Sequence, residues 1–324
     1  MAKRDRIGRG GPDLTTRIGG VLLPNPVMTA SGTSGHADEL AAYLDLGSLG
    51  AVTVKSLSPE PWAGNPAPRV HPVRAGMLNS VGLHNPGVGA WLADELPLLA
   101  ATGARVVVSI WGSSAADYER AARTIATAWA QGRAPSLVAV EANISCPNVE
   151  DRRRMFAHSP GSTTAALAAA AAGLAGCGLA LWAKLSPNVT DLVEIAGAAL
   201  DGGADGLTLV NTLMGLAVDP STGRACLGAG GGGLSGPALH PVAVRAVFEC
   251  RQAFPGRPII GVGGISTGED AAELLAAGAD GVQVGTATFA DPRAPARVLG
   301  ELRRWCARRG VHRLDDLIGR AHGH

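Results

Sequence analysis

A chain of 324 residues that is 46 % hydrophobic but only 4 % aromatic can bury one large core, filled mainly by Ala, Val, Leu and Ile. Its 28 basic and 27 acidic side chains leave a formal charge of +1, which excludes bulk electrostatic capture of nucleic acid or of an anionic membrane. The five cysteines, at 146, 177, 226, 250 and 306, are odd in number and lack C-x-x-C spacing, which argues against a disulfide framework, a metal site or an iron–sulfur cluster within the chain.

A reducing cytoplasm is the expected compartment. The start, MAKRDRIGRGGPD, is basic and Gly-rich without a signal peptide's apolar stretch, and no run of about 18 apolar residues follows. Residues 1–13 are therefore expected to be a flexible arm.

Residues 14–24 read as a small hairpin turning at Gly19-Gly20, placed to plug one end of a barrel, and 26–30 as a first buried strand. After the polar exit Ser31-Gly32, the stretch HADELAAYLDLG has helical periodicity. Residues 51–54 form a second strand ending at Lys55-Ser56. The Pro-rich excursion over 57–88 is too long for a plain connection, and its part 77–83 is expected to be ordered and to fold over a site. Strands then follow at 104–110, 137–143, 179–183, 206–210, 258–262 and 281–284, with helices at 115–131, 163–176, 191–200, 241–254, 267–277 and 292–309. Eight strand-then-helix units match a (β/α)8 TIM barrel over 14–310, with a short N-terminal hairpin, an insertion after strand 2 and a C-terminal tail over 311–324. An open doubly wound sheet is the runner-up, disfavoured because no G-x-G-x-x-G follows the first strand.

In a barrel all strand exits share one face, and that face holds the active site. The exits here are Ser31-Gly32, Lys55-Ser56, Ser109, Asn143 with Cys146, Lys184, Asn211-Thr212, Gly263-Gly264 and Gly285-Thr286. The stretch 138–149, VAVEANISCPNV, is the densest: a thiol at a Pro-fixed strand exit among Asn143, Ser145 and Asn148. Free cysteine is also a small buried hydrophobe, which is the plain alternative. Glycines after the last two strands suit a phosphate-bearing ligand. Lys55 and Lys184, at the ends of apolar strands, face an electron-rich group or else snorkel to solvent. Asn79, Asn143, Asn148 and Asn211 suit the alternating N–H and C=O edges of a planar heterocycle.

These residues resemble the dihydroorotate dehydrogenases that carry a cysteine base. The resemblance spans roughly 14–310 through NISCPNV, GNPAPRV, GMLNSVGLHNPGV, KLSPNVTD, NTLMGLAVD, GGLSGPAL and GVGGIST with VGTAT, in the family's order. It implies a barrel that binds FMN and oxidises (S)-dihydroorotate to orotate in pyrimidine biosynthesis. By the resemblance Cys146 is the base. Lys55, Asn79, Ser80, Val81, Gly82, Leu83, Asn143, Asn148, Asn211 and Thr212 hold the pyrimidine. FMN falls to Ala30, Ser31, Gly32, Lys55, Ser56, Ser109, Asn143, Lys184, Val210, Gly236, Gly263, Gly264, Gly285 and Thr286. Ser109 stands where related chains more usually carry Asn.

The cysteine base resembles the soluble branch, and GNPAPRV, GMLNSVGLHNPGV and NTLMGLAVD resemble its NAD-linked type. That type implies a homodimer paired with a second subunit carrying FAD and a [2Fe-2S] cluster. Fumarate, used by the homodimeric soluble branch, is the rival acceptor. Arg152, Arg153 and Arg154 replace the family's usual Gly-Gly segment, which leaves the substrate and the partner open. The competing activities are oxidoreduction of another dihydropyrimidine such as dihydrouracil, and a flavin- or phosphate-binding barrel without redox turnover.

Overall fold

The computed structural model of the chain describes residues 11–145 and 155–323. Strands β1 (Thr16–Ile18) and β2 (Val21–Leu23) pair antiparallel around Gly19 and Gly20. Both glycines have positive φ, +54° and +86°, as a two-residue hairpin with primed twist requires. Ile18 and Leu23 point into a cluster with Met28, Ala51, Val107, Ala139, Trp182 and Ile260, all on barrel strands or the residues that open them. The hairpin thus closes one end of the barrel with apolar side chains.

Strands β3 (Val27–Thr29) and β4 (Val52–Thr53) open the barrel. Strands β5 (Val70–Val73) and β6 (Gly76–Asn79) lie in the excursion that follows. The barrel continues through β7 (Val106–Ile110), β8 (Leu137–Asn143), β9 (Ala180–Leu185) and β10 (Gly206–Leu209). A second excursion carries β11 (Leu213–Gly215), β12 (Val218–Asp219), β13 (Arg224–Ala225) and β14 (Gly232–Ser235), before β15 (Ile259–Val262) and β16 (Gly281–Val284) complete the set.

The eight barrel strands run parallel in the order β3-β16-β15-β10-β9-β8-β7-β4. The ring closes between β3 and β4, where the Gly50 N–H donates to the Val27 carbonyl at 2.8 Å and Met28 bridges to Ala51. This is the (β/α)8 barrel expected from the repeating units. Helices Ala115–Ala130 and Gly268–Ala276 each start at a capping box, Ser114 with Asp117 and Thr267 with Asp270, which fixes where they begin. Ser159 caps helix Pro160–Gly173, with Pro160 in its first turn, so this helix begins earlier than its apolar periodicity indicates. Residues 311–323 pack on the barrel, with Val311, Leu314 and Leu317 buried and Leu314 N–H donating to Asp13 O at 2.9 Å. No described helix is long and apolar enough to cross a membrane.

Two local expectations fail. The stretch 36–47 is not an α-helix but two 3-10 turns, Glu39–Ala42 and Leu46–Ser48. The Glu39 carboxylate turns back to accept from the His36 and Ala37 N–H groups, and Asp45 accepts from Gly47 N–H, so side chains satisfy backbone donors that a helix would need. Conversely, a helical segment over 88–101 was not expected. It passes from Val88–Ala90 through a π turn at Trp91–Glu95 into Leu96–Ala101 and buries Trp91, Leu96 and Leu99.

The excursions also meet. Strands β11-β14-β6-β5 form an antiparallel sheet in which Gly233 pairs with Asn79. Of the segment expected to be ordered over 77–83, Met77–Asn79 thus pair with a chain segment more than 150 residues away, while Ser80 and Val81 are held nearby, through Arg69 O and Asn65 N–H.

Candidate active site

A cavity of about 590 Å³ lies among the strand exits. Ala30, Ser31 and Gly32 reach it after β3, and Lys55 with Ser56 after β4. Asn143 ends β8, Lys184 stands near the end of β9, and Val210, Asn211 and Thr212 follow β10. Gly263, Gly264, Gly285 and Thr286 follow β15 and β16. The two excursions add Asn79, Ser80, Val81, Gly82, Leu83 and Gly236.

Ser109 is the exception: it does not line the cavity but is fully buried, its hydroxyl 2.9 Å from that of the lining residue Ser56. Cys146, Asn148 and the triplet Arg152, Arg153 and Arg154 lie outside the described residues.

A polar chain organises the wall. Asn143 Nδ2 donates to Ser56 Oγ at 3.1 Å, and Asn143 Oδ1 accepts from Asn211 Nδ2 and from Ser145 N–H, both at 3.2 Å. Asn211 Oδ1 in turn accepts from Thr212 N–H at 2.8 Å. Asn79 Nδ2 donates to the Gly233 carbonyl at 3.2 Å, which ties the first excursion to the second. Two of the lining glycines leave no room for a side chain. Gly264 has φ +68° and its Cβ would stand 2.6 Å from His240 Cβ, while a Cβ on Gly82 (φ +68°) would stand 2.4 Å from the Asn65 amide carbon.

The sequence profile of the dihydroorotate dehydrogenase family matches residues 13–305. The chain belongs to this family. Over 308 residues it is 45 % identical to a putative dihydroorotate dehydrogenase A (fumarate) of Solibacter usitatus, covering 95 % of this chain and 98 % of that protein. Over 305 residues it is 45 % identical to the dihydroorotate dehydrogenase B (NAD(+)) catalytic subunit of Desulforudis audaxviator, covering 94 % and 96 %. The corresponding subunit of Geotalea daltonii is 43 % identical over 310 residues, covering 95 % and 98 %.

Several features of this dihydroorotate dehydrogenase family member escaped the sequence reading. Asn65, Trp62, Trp111 and Asn188 also line the cavity. Asn188 bonds both Thr212 O and Met214 N–H and so fastens the loop after β9 to the segment after β10. Beneath the cavity, Glu141 is fully buried inside the barrel. It accepts from Gln283 Nε2 at 2.8 Å and lies 3.6 Å from Lys184 Nζ. The signal was present: an acidic residue in an apolar strand, two positions before Asn143 and so on the same inward face.

His36, near Lys55, is pushed down to about 4, chiefly by burial and then by the Lys55 charge, against a weaker pull from Glu39. Its Nδ1 lies 4.0 Å from Glu95, whose own carboxyl is raised by burial and by Glu39 and Asp94. At neutral pH the imidazole is uncharged, so this contact is not an ion pair.

Proposed function

We propose that the chain oxidises (S)-dihydroorotate to orotate with FMN as its resident flavin. The observation that carries this reading is the convergence of Asn79, Asn143, Asn211 and Thr212 with Lys55 and Lys184 in one cavity at the strand exits. Its volume of about 590 Å³ lies within the range of small-molecule and cofactor sites, roughly 300–1,000 Å³. The cradle suits FMN: Gly263 and Gly264 (φ +144° and +68°) leave no room for a Cβ and let a phosphate approach the backbone where side chains would block it. Ala30, Ser31, Gly32, Ser56, Val210, Gly236, Gly285 and Thr286 complete the surface that would hold the flavin.

Bound FMN would supply the hydride acceptor for C6 of the substrate. The chain's own part is binding, orientation and proton removal. Asn79, Asn143, Asn211 and Thr212 present amide and hydroxyl groups to a pyrimidine's edges, and Lys55 adds a charge for its electron-rich groups. Cys146 follows Ser145, which lines the cavity, and is assigned as the base that takes the C5 proton. A thiol ordinarily titrates near about 8.5, so a neighbouring cation would raise its thiolate fraction at neutral pH.

The acceptor is assigned to NAD through a second subunit carrying FAD and a [2Fe-2S] cluster, on a homodimer of this chain in the cytoplasm. Relatives named catalytic subunits of an NAD(+) enzyme support it. The fumarate-named relative at 45 % identity favours a second reading in which the chain alone passes electrons to fumarate. Steady-state assays on the purified chain separate them. Dihydroorotate turnover with an artificial acceptor, and none with NAD until an iron–sulfur flavoprotein is added, supports the partner. Rapid turnover with fumarate, or with NAD unaided, contradicts it.

A further inference from the structure

The inner face of β8 carries Ala139, Glu141 and Asn143 in successive layers, because side chains two apart on a strand share a face. Ala139 belongs to the apolar plug and Asn143 lines the cavity, so Glu141 sits between them with no exposure at all. A carboxylate there is costly unless it is matched. Its Oε2 is matched by the Gln283 amide, which also reaches Thr53 Oγ1 at 3.4 Å. Its Oε1 makes no hydrogen bond and faces Lys184 Nζ at 3.6 Å. Lys184 is itself nearly buried, 6 % exposed in its side chain, and lines the cavity. Of 28 basic side chains only three are lysines, and two of these, Lys55 and Lys184, line the cavity. A lysine gives a compact charge on a flexible stem, which a fixed carboxylate below can aim.

We propose that Glu141 is a positioning residue for Lys184: anchored by Gln283, it holds the ammonium at the cavity floor and offsets part of its charge. The inference rests on the FMN reading. With the carboxylate in place, a bound flavin meets less than a full positive charge; without it, the more negative reduced form is favoured over the oxidised one. Glu141 thereby tunes how readily the cofactor accepts electrons, while touching neither cofactor nor substrate.

The test measures the midpoint potential of FMN in the purified holoprotein, together with FMN affinity by flavin fluorescence. Glu141→Gln keeps the shape and removes the charge. It is expected to raise the ratio of oxidised-FMN to reduced-FMN dissociation constants by about tenfold, a positive shift of about 30 mV for a two-electron couple. Lys184→Gln is expected to move the ratio the other way.

A Glu141→Gln protein with lowered melting temperature but unchanged potential assigns the residue to folding alone and overturns the proposal, as does a negative shift. Should the single variant not fold, Glu141→Gln with Lys184→Met removes both charges together. It is expected to restore a folded, FMN-binding barrel with a potential below wild type, and its failure to fold also overturns the proposal. The functional reading fails separately: wild-type protein without FMN removes both claims, whereas wild-type FMN with an unmoved variant potential removes only this one.

Discussion

Asn211 Nδ2 donates to Asn143 Oδ1 across 3.2 Å, so the ends of β10 and β8, on opposite sides of β9 in the sheet, share one hydrogen bond at the cavity wall. Asn143 also holds Ser56 and the Ser145 N–H, which makes it the hub that sets the wall's shape immediately before Cys146.

Replacing Asn143 with Ala strips these bonds and leaves their partners unsatisfied in a buried site. We predict a loss of stability of about 1–3 kcal/mol and a fall in dihydroorotate turnover of about 10²-fold, the scale expected when reacting groups are misplaced. Urea unfolding and steady-state kinetics check the two effects. An unchanged rate with lowered stability would reduce Asn143 to a structural role.

The Cys146→Ser variant is expected to retain FMN and bind orotate yet slow flavin reduction by about 10²-fold or more at neutral pH, because serine is a far weaker base. Stopped-flow reduction is the measurement. Reduction at the wild-type rate would place the base elsewhere.

Glycine at 264 is forced by φ +68° and by His240 Cβ at 2.6 Å from any added Cβ. Gly264→Ala is therefore expected to cost about 1–3 kcal/mol and to weaken FMN binding, read by flavin fluorescence on reconstitution. Unchanged stability and affinity would show that the loop tolerates a side chain and that its backbone is not the phosphate cradle.

Burial holds His36 neutral, down to about 4 from an ordinary 6.5. Between these values the unfolded chain takes up a proton that the folded one refuses. The contribution to stability is thus whole above pH 6.5 and shrinks as the pH falls toward 4. The urea midpoint of wild type should fall more steeply across that window than that of His36→Gln. Parallel profiles would contradict the assignment.

Much of this fold was legible because its signals are local. β8 and β16 run over 137–143 and 281–284 as read from the sequence, since apolar runs bounded by turn or polar residues leave little choice of register. The exits followed from the strands, whereas Ser80, Val81, Gly82, Leu83 and Gly236 came through the family resemblance, and every described site residue except Ser109 lines the cavity. What was not legible depends on distant partners. The strands β11 and β14 are short and Gly-rich and acquire their order from β6. Glu141 looks like a misplaced charge until Gln283, 142 residues on, is seen beside it. The helical segment over 88–101 hides behind Pro97 and a glycine-rich start, and the 36–47 stretch shows a helical pattern that its own carboxylates undo.

The most direct measurement is anaerobic mixing of the purified holoprotein with millimolar dihydroorotate while the flavin absorbance is followed. The protein is expected to be yellow, with a flavin that bleaches with dihydroorotate and stays oxidised with dihydrouracil. A flavin left oxidised by dihydroorotate, or bleached only by dihydrouracil, would contradict that expectation.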